Sequence, residues 1–454
     1  MGYALQYKNG DCIHVVLFGT PSESRYFLEP QYKDKFDLIG FNANVVVFYP
    51  DAVASFISQL ANKSFFIDPQ VYAFQQRIRT IMRKGDSGLE VKASVRKLAD
   101  QYGNYISERT GKEPINPAEL TPKILEEISQ AVLFFQLNFI GNRKSLDDLK
   151  EFLSESDFQP TFLIAPYLYL EPDHINEELS ANINFINFSK DILVNQLKVD
   201  KKLFAEIVLS KYVLFDDSYR TKIINDYQKA NVDGFILWID DFSETVENEE
   251  ENDKLLLAYK ELLLEIGKLN KPVINLHGGY LSIILAGKSY QLLAGVGHGI
   301  EYGESRPVVP VGGGVPTAKF YFPKFHKRID YNPDTVEILT KENWVKNSEI
   351  FYKNVCACTM CKTIINQHDN ITERFQEYGK TKLSEKNGRA YPTAEALDKS
   401  RKHYLNNKFK EYAFCKSMNK DQILKELKIN YESSKRLREI HSFDHLKKWY
   451  ELLK

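Results

Sequence analysis

Gly234-Phe-Ile-Leu-Trp-Ile239 is a short apolar run that closes on two carboxylates, Asp240 and Asp241. A helical pattern follows over residues 249–269. Pro272-Val-Ile-Asn-Leu276 is then a second apolar run, ending in His277-Gly278-Gly279. Strand, amphipathic helix, strand at this length is the unit of a parallel sheet with crossover helices. The rhythm extends upstream. Ile13-His-Val-Val-Leu-Phe18, Val45-Val-Val-Phe48, Ser64-Phe-Phe-Ile-Asp68, Thr161-Phe-Leu-Ile-Ala165 and Ala205-Glu-Ile-Val-Leu209 each read as a buried strand. Residues 118–137 and 219–230 carry helical spacing between them. Downstream, residues 281–293 read as helix, and Gly299-Ile-Glu301 starts one more strand. The repeat count and length favour a (β/α)8 TIM barrel, an α/β fold, over an open sheet.

In such barrels chemistry sits where strands end. Those ends carry Asp68, Asp240, Asp241, His277, Glu301 and Glu304. One polar residue at a strand end is often a turn former or a helix cap; several converging on one mouth point to a site. Residues 70–111 read as helix and loop, with Lys and Arg prominent from Arg77 to Lys97. Residues 307–316 form a Gly/Pro-rich loop, a connector or a place where backbone approaches a ligand.

Beyond the barrel, Cys356-Ala-Cys358-Thr-Met-Cys361 places three thiols within six residues of a chain with five cysteines. Thiolates at this spacing converge on one tetrahedral metal, with zinc the default. The fourth ligand is His403, in a helical segment, or His368, nearer in sequence. Four protein ligands make the zinc structural. Cys12 and Cys415 read as ordinary buried thiols. Residues 1–340 are thus read as the barrel, and 341–454 as an appended zinc-binding subdomain with C-terminal helices.

The chain has 454 residues, 43% hydrophobic and 27% charged, with a net charge of −1. That composition is globular, and no apolar run reaches membrane-spanning length. Few cysteines, three of them metal-binding, fit a reducing cytoplasm. Charge is uneven: residues 379–454 hold 19 Lys/Arg against 10 Asp/Glu, a net of +9, so the remainder carries −10. A basic segment on an acidic body suggests a face for nucleic acid, with Lys399, Arg401, Lys402, Lys408 and Lys410 toward phosphates.

The motifs resemble a known family. Phe66-Ile67-Asp68-Pro-Gln-Val-Tyr-Ala-Phe74 resembles the strand-end Thr-Asp-Ser-Gly-Gly-Phe-Gln of the tRNA-guanine transglycosylase superfamily. Asn275-Leu-His-Gly-Gly279 resembles its Met-Gly-Val-Gly, and Gly299-Ile-Glu-Tyr-Gly-Glu304 its Gly-Ile-Asp-Met-Phe-Asp. The segment from Asp233 to Glu244 resembles the one holding the family's base-binding Gly-Gly-Leu-Ala. The metal motif with its later His completes the set, from about Phe66 to His403. Glu304 stands where the family has its nucleophilic Asp, and Leu237-Trp-Ile-Asp240 replaces Gly-Gly-Leu-Ala. These departures are similar to the divergent DpdA-type enzymes of phages and bacterial gene islands, which place 7-deazaguanines in DNA.

The resemblance implies a transglycosylase that exchanges guanine in DNA for a 7-deazaguanine such as the 7-cyano base, through a covalent glycosyl–enzyme intermediate. Glu304, or Glu301 in its place, would be the nucleophile and Asp68 the general acid/base. Asp240 or Asp241 would accept from the base, and Trp238 or Tyr72 would stack on it, with His277, Gly278 and Gly279 beside it. Expected partners are DNA, the incoming base, and a second copy or accessory proteins, in a bacterial or phage-infected cell. Exchange on tRNA, and a catalytically inactive nucleic-acid-binding relative, are the rival readings.

Overall fold

The computed structural model describes residues 12–60, 63–85, 88–149, 158–245, 249–300, 303–309, 317–366, 371–384 and 388–454. Glu301 and His368 therefore lie outside the described residues. Eight parallel strands form one sheet: β1 (Ile13–Phe18), β2 (Leu38–Asn42), β3 (Ser64–Asp68), β4 (Phe162–Ile164), β5 (Lys202–Leu209), β6 (Gly234–Ile239), β7 (Val273–Asn275) and β8 (Gly295–Gly299). β8 returns to pair with β1. Across the remaining edge, the Thr161 N–H donates to the Phe65 carbonyl at 2.8 Å, so the sheet curls into a nearly closed α/β barrel. The expected (β/α)8 fold class is the observed one.

Two strands differ from the sequence reading. Val45-Val-Val-Phe48 lies in a helix, Ala43–Phe48, and β2 is the preceding Leu38-Ile-Gly-Phe-Asn42. A short continuous apolar run does not distinguish a strand from a buried helix. β8 ends at Gly299, where the reading started it. Its sequence, Gly-Val-Gly-His-Gly, reads as loop, yet packing demands the glycines. A Cβ at Gly297 would stand 2.5 Å from the Leu276 carbonyl oxygen. At Gly234 it would stand 2.3 Å from the Phe204 ring.

That ring belongs to a stack filling the barrel interior. The Phe66 and Phe162 centroids are 5.2 Å apart, and those of Phe162 and Phe204 4.1 Å. Each ring contributes on the order of 1.5–3 kcal/mol through burial. The interior is thus a packed core below a mouth, not a pore. Crossover helices include α1 (Pro122–Asn138), α2 (Ile175–Asp191), α3 (Asp217–Tyr227) and α4 (Glu249–Gly267). Thr121 caps α1, its side chain accepting from the Ile124 N–H, and Asp216 caps α3 in the same way. The connection after β3 contains a two-stranded antiparallel ribbon, Met82–Gly85 with Gly88–Val91, within a stretch read as helix and loop.

The chain divides into two compact units. The first, holding the whole sheet, comprises Met1–Phe242, Leu257–Gly278 and Gln291–Pro310; the second comprises Ser243–Leu256, Gly279–Tyr290 and Val311–Lys454. The second unit contains α5 (Tyr280–Ala286), the hairpin β9 (Lys319–Phe322) and β10 (Lys327–Asp330), and helices α6 (Thr359–Ile365), α7 (Ala394–Ser417), α8 (Lys420–Ser434) and α9 (His445–Leu453). Among the described residues no helix is long and apolar enough to cross a membrane.

Candidate active site and metal centre

β3 delivers Asp68 to the mouth and the chain then turns sharply, with Gln70 in the left-handed region at φ 53°. Asp68 is only 2% exposed. Its Oδ1 accepts from the Gln70 N–H at 2.9 Å and from the Tyr167 hydroxyl at 2.5 Å. Its Oδ2 is buried without a hydrogen-bond partner. Burial dominates and raises this carboxyl to about 6, while Tyr167, Gln70 and the charge of Arg306 pull it back.

Glu206, in the middle of β5, is buried beside this group. Neither of its oxygens makes a hydrogen bond in this arrangement. Burial, then the charge of Asp68, raise it well above the carboxylate range, with Tyr167 close enough to oppose them. Burial and mutual charge thus favour the protonated forms of both carboxyls, and the Tyr167 hydroxyl donates to Asp68. The sequence reading passed over Glu206 and Tyr167. A lone carboxylate inside the apolar run 203–209 is the signal that marks it, because an unpaired charge on a buried strand is costly.

Aromatic residues wall the site. The Tyr72 ring meets Tyr167 at 5.8 Å and Trp238 edge-on at 5.5 Å. The His277 ring lies 4.8 Å from Trp238. His277 is buried, its Nδ1 has no partner, and burial together with Arg306 keeps the imidazole neutral. Tyr72 and Trp238 are themselves buried, in the packing role that such residues usually fill.

Residues 303–309, after β8, fold over this wall. The Trp238 indole N–H donates to the Arg306 carbonyl at 3.1 Å, and the Asp241 N–H donates to the same oxygen at 3.3 Å. Asp240 Oδ1 accepts from the Val308 N–H at 2.6 Å, and its Oδ2 from the Tyr169 hydroxyl at 2.8 Å. Both oxygens of Asp240 are thus engaged in holding the loop. Asp241 is exposed at a left-handed turn, φ 48°. Half-buried Glu304 and Arg306 ride on this loop, and the Arg306 guanidinium lies 6.0 Å from the Trp238 ring. The Gly278 N–H donates to Gly297 O at 2.9 Å, fixing the turn after β7. In the second unit the Gly279 N–H donates to Glu244 Oε1 at 2.9 Å, capping α5.

The metal centre lies in the second unit. Cys356, Cys358, Cys361 and His403 are all buried, with their ligand atoms within 4.8 Å of one another. Cys358 caps α6, its sulfur accepting from the Cys361 N–H. His403 projects from α7, and its Nδ1 lies 3.4 Å from Cys358 Sγ and 3.3 Å from Cys361 Sγ. Its Nε2 is 2.7 Å from the Tyr321 carbonyl, which fixes the proton there and turns Nδ1 to the sulfurs. The Phe320 ring stacks on the imidazole at 4.2 Å. The cluster can hold a metal ion.

The basic residues of α7 do not share one open face. Lys408 is 0% exposed and paired with Glu411 at 2.7 Å, so it does not face phosphates; it sits in the core of the second unit. Lys399 pairs with Glu377, and Lys402 with Asp398 at 3.3 Å. Arg401 is half-buried and Lys410 exposed. Half of α7 is buried, a pattern that composition does not reveal.

No protein-family model matches the chain, and no curated protein matches it. Among solved structures it is similar to a mandelate racemase/muconate lactonizing family protein from Azoarcus sp. EbN1, at 13% identity and a TM-score of 0.28. The match covers 64% of this chain and spans half the length of that structure.

Proposed function

We propose that the barrel mouth exchanges guanine in DNA for a 7-deazaguanine base through a covalent glycosyl–enzyme intermediate. The observation that carries the reading is Asp68: a buried strand-end carboxyl with a pKa of about 6, one oxygen without a hydrogen-bond partner, and aromatic rings nearby. A general acid/base works best with a pKa near the operating pH. The Glu304 carboxylate attacks C1′ of the target nucleotide, and the bond from C1′ to N9 breaks. Guanine leaves with that electron pair and takes a proton from Asp68. The incoming base returns a proton to Asp68, attacks C1′ and displaces Glu304. No electrons are transferred overall.

A base reaching this mouth must leave its stack, which costs a few kcal/mol in a duplex and less in a single strand. In this scheme Asp240 keeps the 303–309 loop seated, and Arg306 offsets charge developing near Asp68.

We further propose that the metal is zinc in a structural role. Zinc bound tetrahedrally at about 2.3 Å from sulfur and 2.0–2.1 Å from nitrogen sets its ligands roughly 3.6–3.8 Å apart. The spacings between sulfur and Nδ1 of 3.3 and 3.4 Å are close to that.

The test is release of radiolabelled guanine from DNA or from tRNA in the presence of 7-cyano-7-deazaguanine. Release from DNA alone is the expected result. Release from tRNA alone would move the activity to RNA, and release from neither would overturn the reading.

A further inference from the structure

The segment leaving β3 carries charge that the packing does not use. Residues 77–97 hold seven cations against two carboxylates. Arg77, Arg79, Arg83, Lys84, Arg96 and Lys97 are exposed. Arg83 pairs with Glu90 at 2.8 Å, and Arg96 donates to the Thr110 carbonyl at 3.0 Å. The side chains of Arg77, Arg79 and Lys84 make no hydrogen bond or ion pair among the described residues. The ribbon Met82–Gly85/Gly88–Val91 pairs Lys84 with Leu89, which is 67% exposed. A two-stranded ribbon with so little burial adds little to stability by itself.

Exposed aromatics lie beside one of these cations, Lys97. Phe48 and Tyr49 end the helix that follows β2, with ring centroids 4.7 Å apart, and the Lys97 ammonium lies 5.2 Å from the Phe48 centroid. The location is also specific. Arg77 follows Asp68 by nine residues on the segment that leaves the C-terminal end of β3, so the cations begin on the mouth side of the barrel. Cations that follow a phosphate backbone, with aromatic faces that stack on bases, are what single-stranded nucleic acid requires.

We propose that the ribbon, the stretch from Arg77 that leads into it, and the Phe48–Tyr49 edge grip the DNA strand that flanks the base entering the barrel. Arg77, Arg79 and Lys84 neutralise phosphates, and Tyr49 stacks on a neighbouring base. The choice of DNA rests on the transglycosylase reading; the grip itself rests on charge and exposure. It assigns strand binding to the first unit, in place of α7, where Lys408 is buried and two other lysines are paired.

The experiment is fluorescence anisotropy of the full chain with a labelled single-stranded DNA oligonucleotide across a salt series, and in parallel with single-stranded RNA. Replacing Arg77, Arg79 and Lys84 together by Ala should raise Kd at low salt at least about tenfold. It should also flatten the slope of log K against log salt by about two, near 0.7 for each phosphate that is no longer neutralised. Tyr49→Ala should weaken binding about tenfold while leaving that slope unchanged. Lys229→Glu, on the stretch leading into β6, should change neither quantity. Unchanged thermal midpoints separate weakened binding from unfolding, and the single Lys84→Glu variant repeats the test should the triple variant unfold.

Ribbon variants that bind like the wild type would overturn the proposal, as would a wild type that binds neither polymer. Ribbon-dependent binding of RNA but not DNA would overturn the choice of strand. Guanine release, assayed separately, keeps the two claims apart. Exchange with ribbon-independent binding sinks only the ribbon. Ribbon-dependent binding without exchange sinks only the transglycosylase.

Discussion

Asp68 ties the physical state of the mouth to measurable stability. Its folded pKa of about 6 exceeds the 3.8 of an ordinary aspartate, so the folded state binds the proton more tightly than the unfolded one. Stability from this group therefore falls as pH rises from about 4 to about 6, and the penalty is complete above that. Asp68→Asn keeps an acceptor for Gln70 and Tyr167 and removes the buried charge. It should stabilise the protein at pH 8 by up to about 3 kcal/mol and do nothing below about pH 4, as read by urea melts at the two pH values. Tyr167→Phe removes a hydrogen bond to the charged form, so the inflection should move upward from 6 in the same melts. An inflection that stays in place would mean that Tyr167 does not hold the charge.

Asp68 was legible at sequence level because it ends an apolar strand. Glu206 and Tyr167 were not, because which residues of β5 and of the chain after β4 face inward depends on the barrel's register.

At the scale of elements, the loop 303–309 folds over the aromatic wall, and the ribbon after β3 is the part proposed to hold the strand. Asp240 seats the loop with one backbone and one hydroxyl donor. Hydrogen bonds to a charged group contribute about 1.5–3 kcal/mol each. Asp240→Ala should therefore free the loop more than it unfolds the barrel. The Val308 amide should lose its protection in hydrogen exchange while amides of β6 keep theirs; equal loss at both would mean global unfolding instead.

Elements also mark where the sequence misleads. β6 and β7 are plain because their apolar runs are bounded by turn residues. β8 is hidden because close packing against Ile13 and the Leu276 carbonyl requires glycine, which reads as loop. β2 is hidden because Val45-Val-Val-Phe48 outcompetes it in hydrophobicity although it is helix. The Cys3His cluster was legible because ligand spacing is a local property of the chain. His403 reaches it from α7, 42 residues beyond Cys361, and the Tyr321 carbonyl that orients it comes from β9.

For the whole molecule, the net charge of −1 conceals a basic stretch over residues 77–97, a basic C-terminal segment and an acidic remainder. Much of the C-terminal charge is spent internally: Lys408 on Glu411, Arg436 on Glu342 and Arg438 on Asp444. Nucleic-acid affinity should depend on salt through the ribbon and not through α7. A metal ion held by the cluster would tie α6, α7 and the preceding Cys356 together, so its removal should cost the second unit most of its stability. A chelator, or Cys358→Ser, should lower the thermal midpoint, and metal analysis should find one zinc per chain in the untreated protein. A midpoint indifferent to both treatments would mean the cluster does not bear on folding.

The central claim is that a mouth carboxylate forms a glycosyl bond while Asp68 moves the proton. The measurement that reaches it most directly is guanine exchange on DNA by the wild type beside Glu304→Gln, Glu301→Gln and Asp68→Asn. The account predicts that exchange and the covalent protein–DNA adduct vanish in Glu304→Gln, or in Glu301→Gln if that neighbour is the nucleophile, and that exchange collapses in Asp68→Asn. Full exchange in both glutamine variants would contradict it.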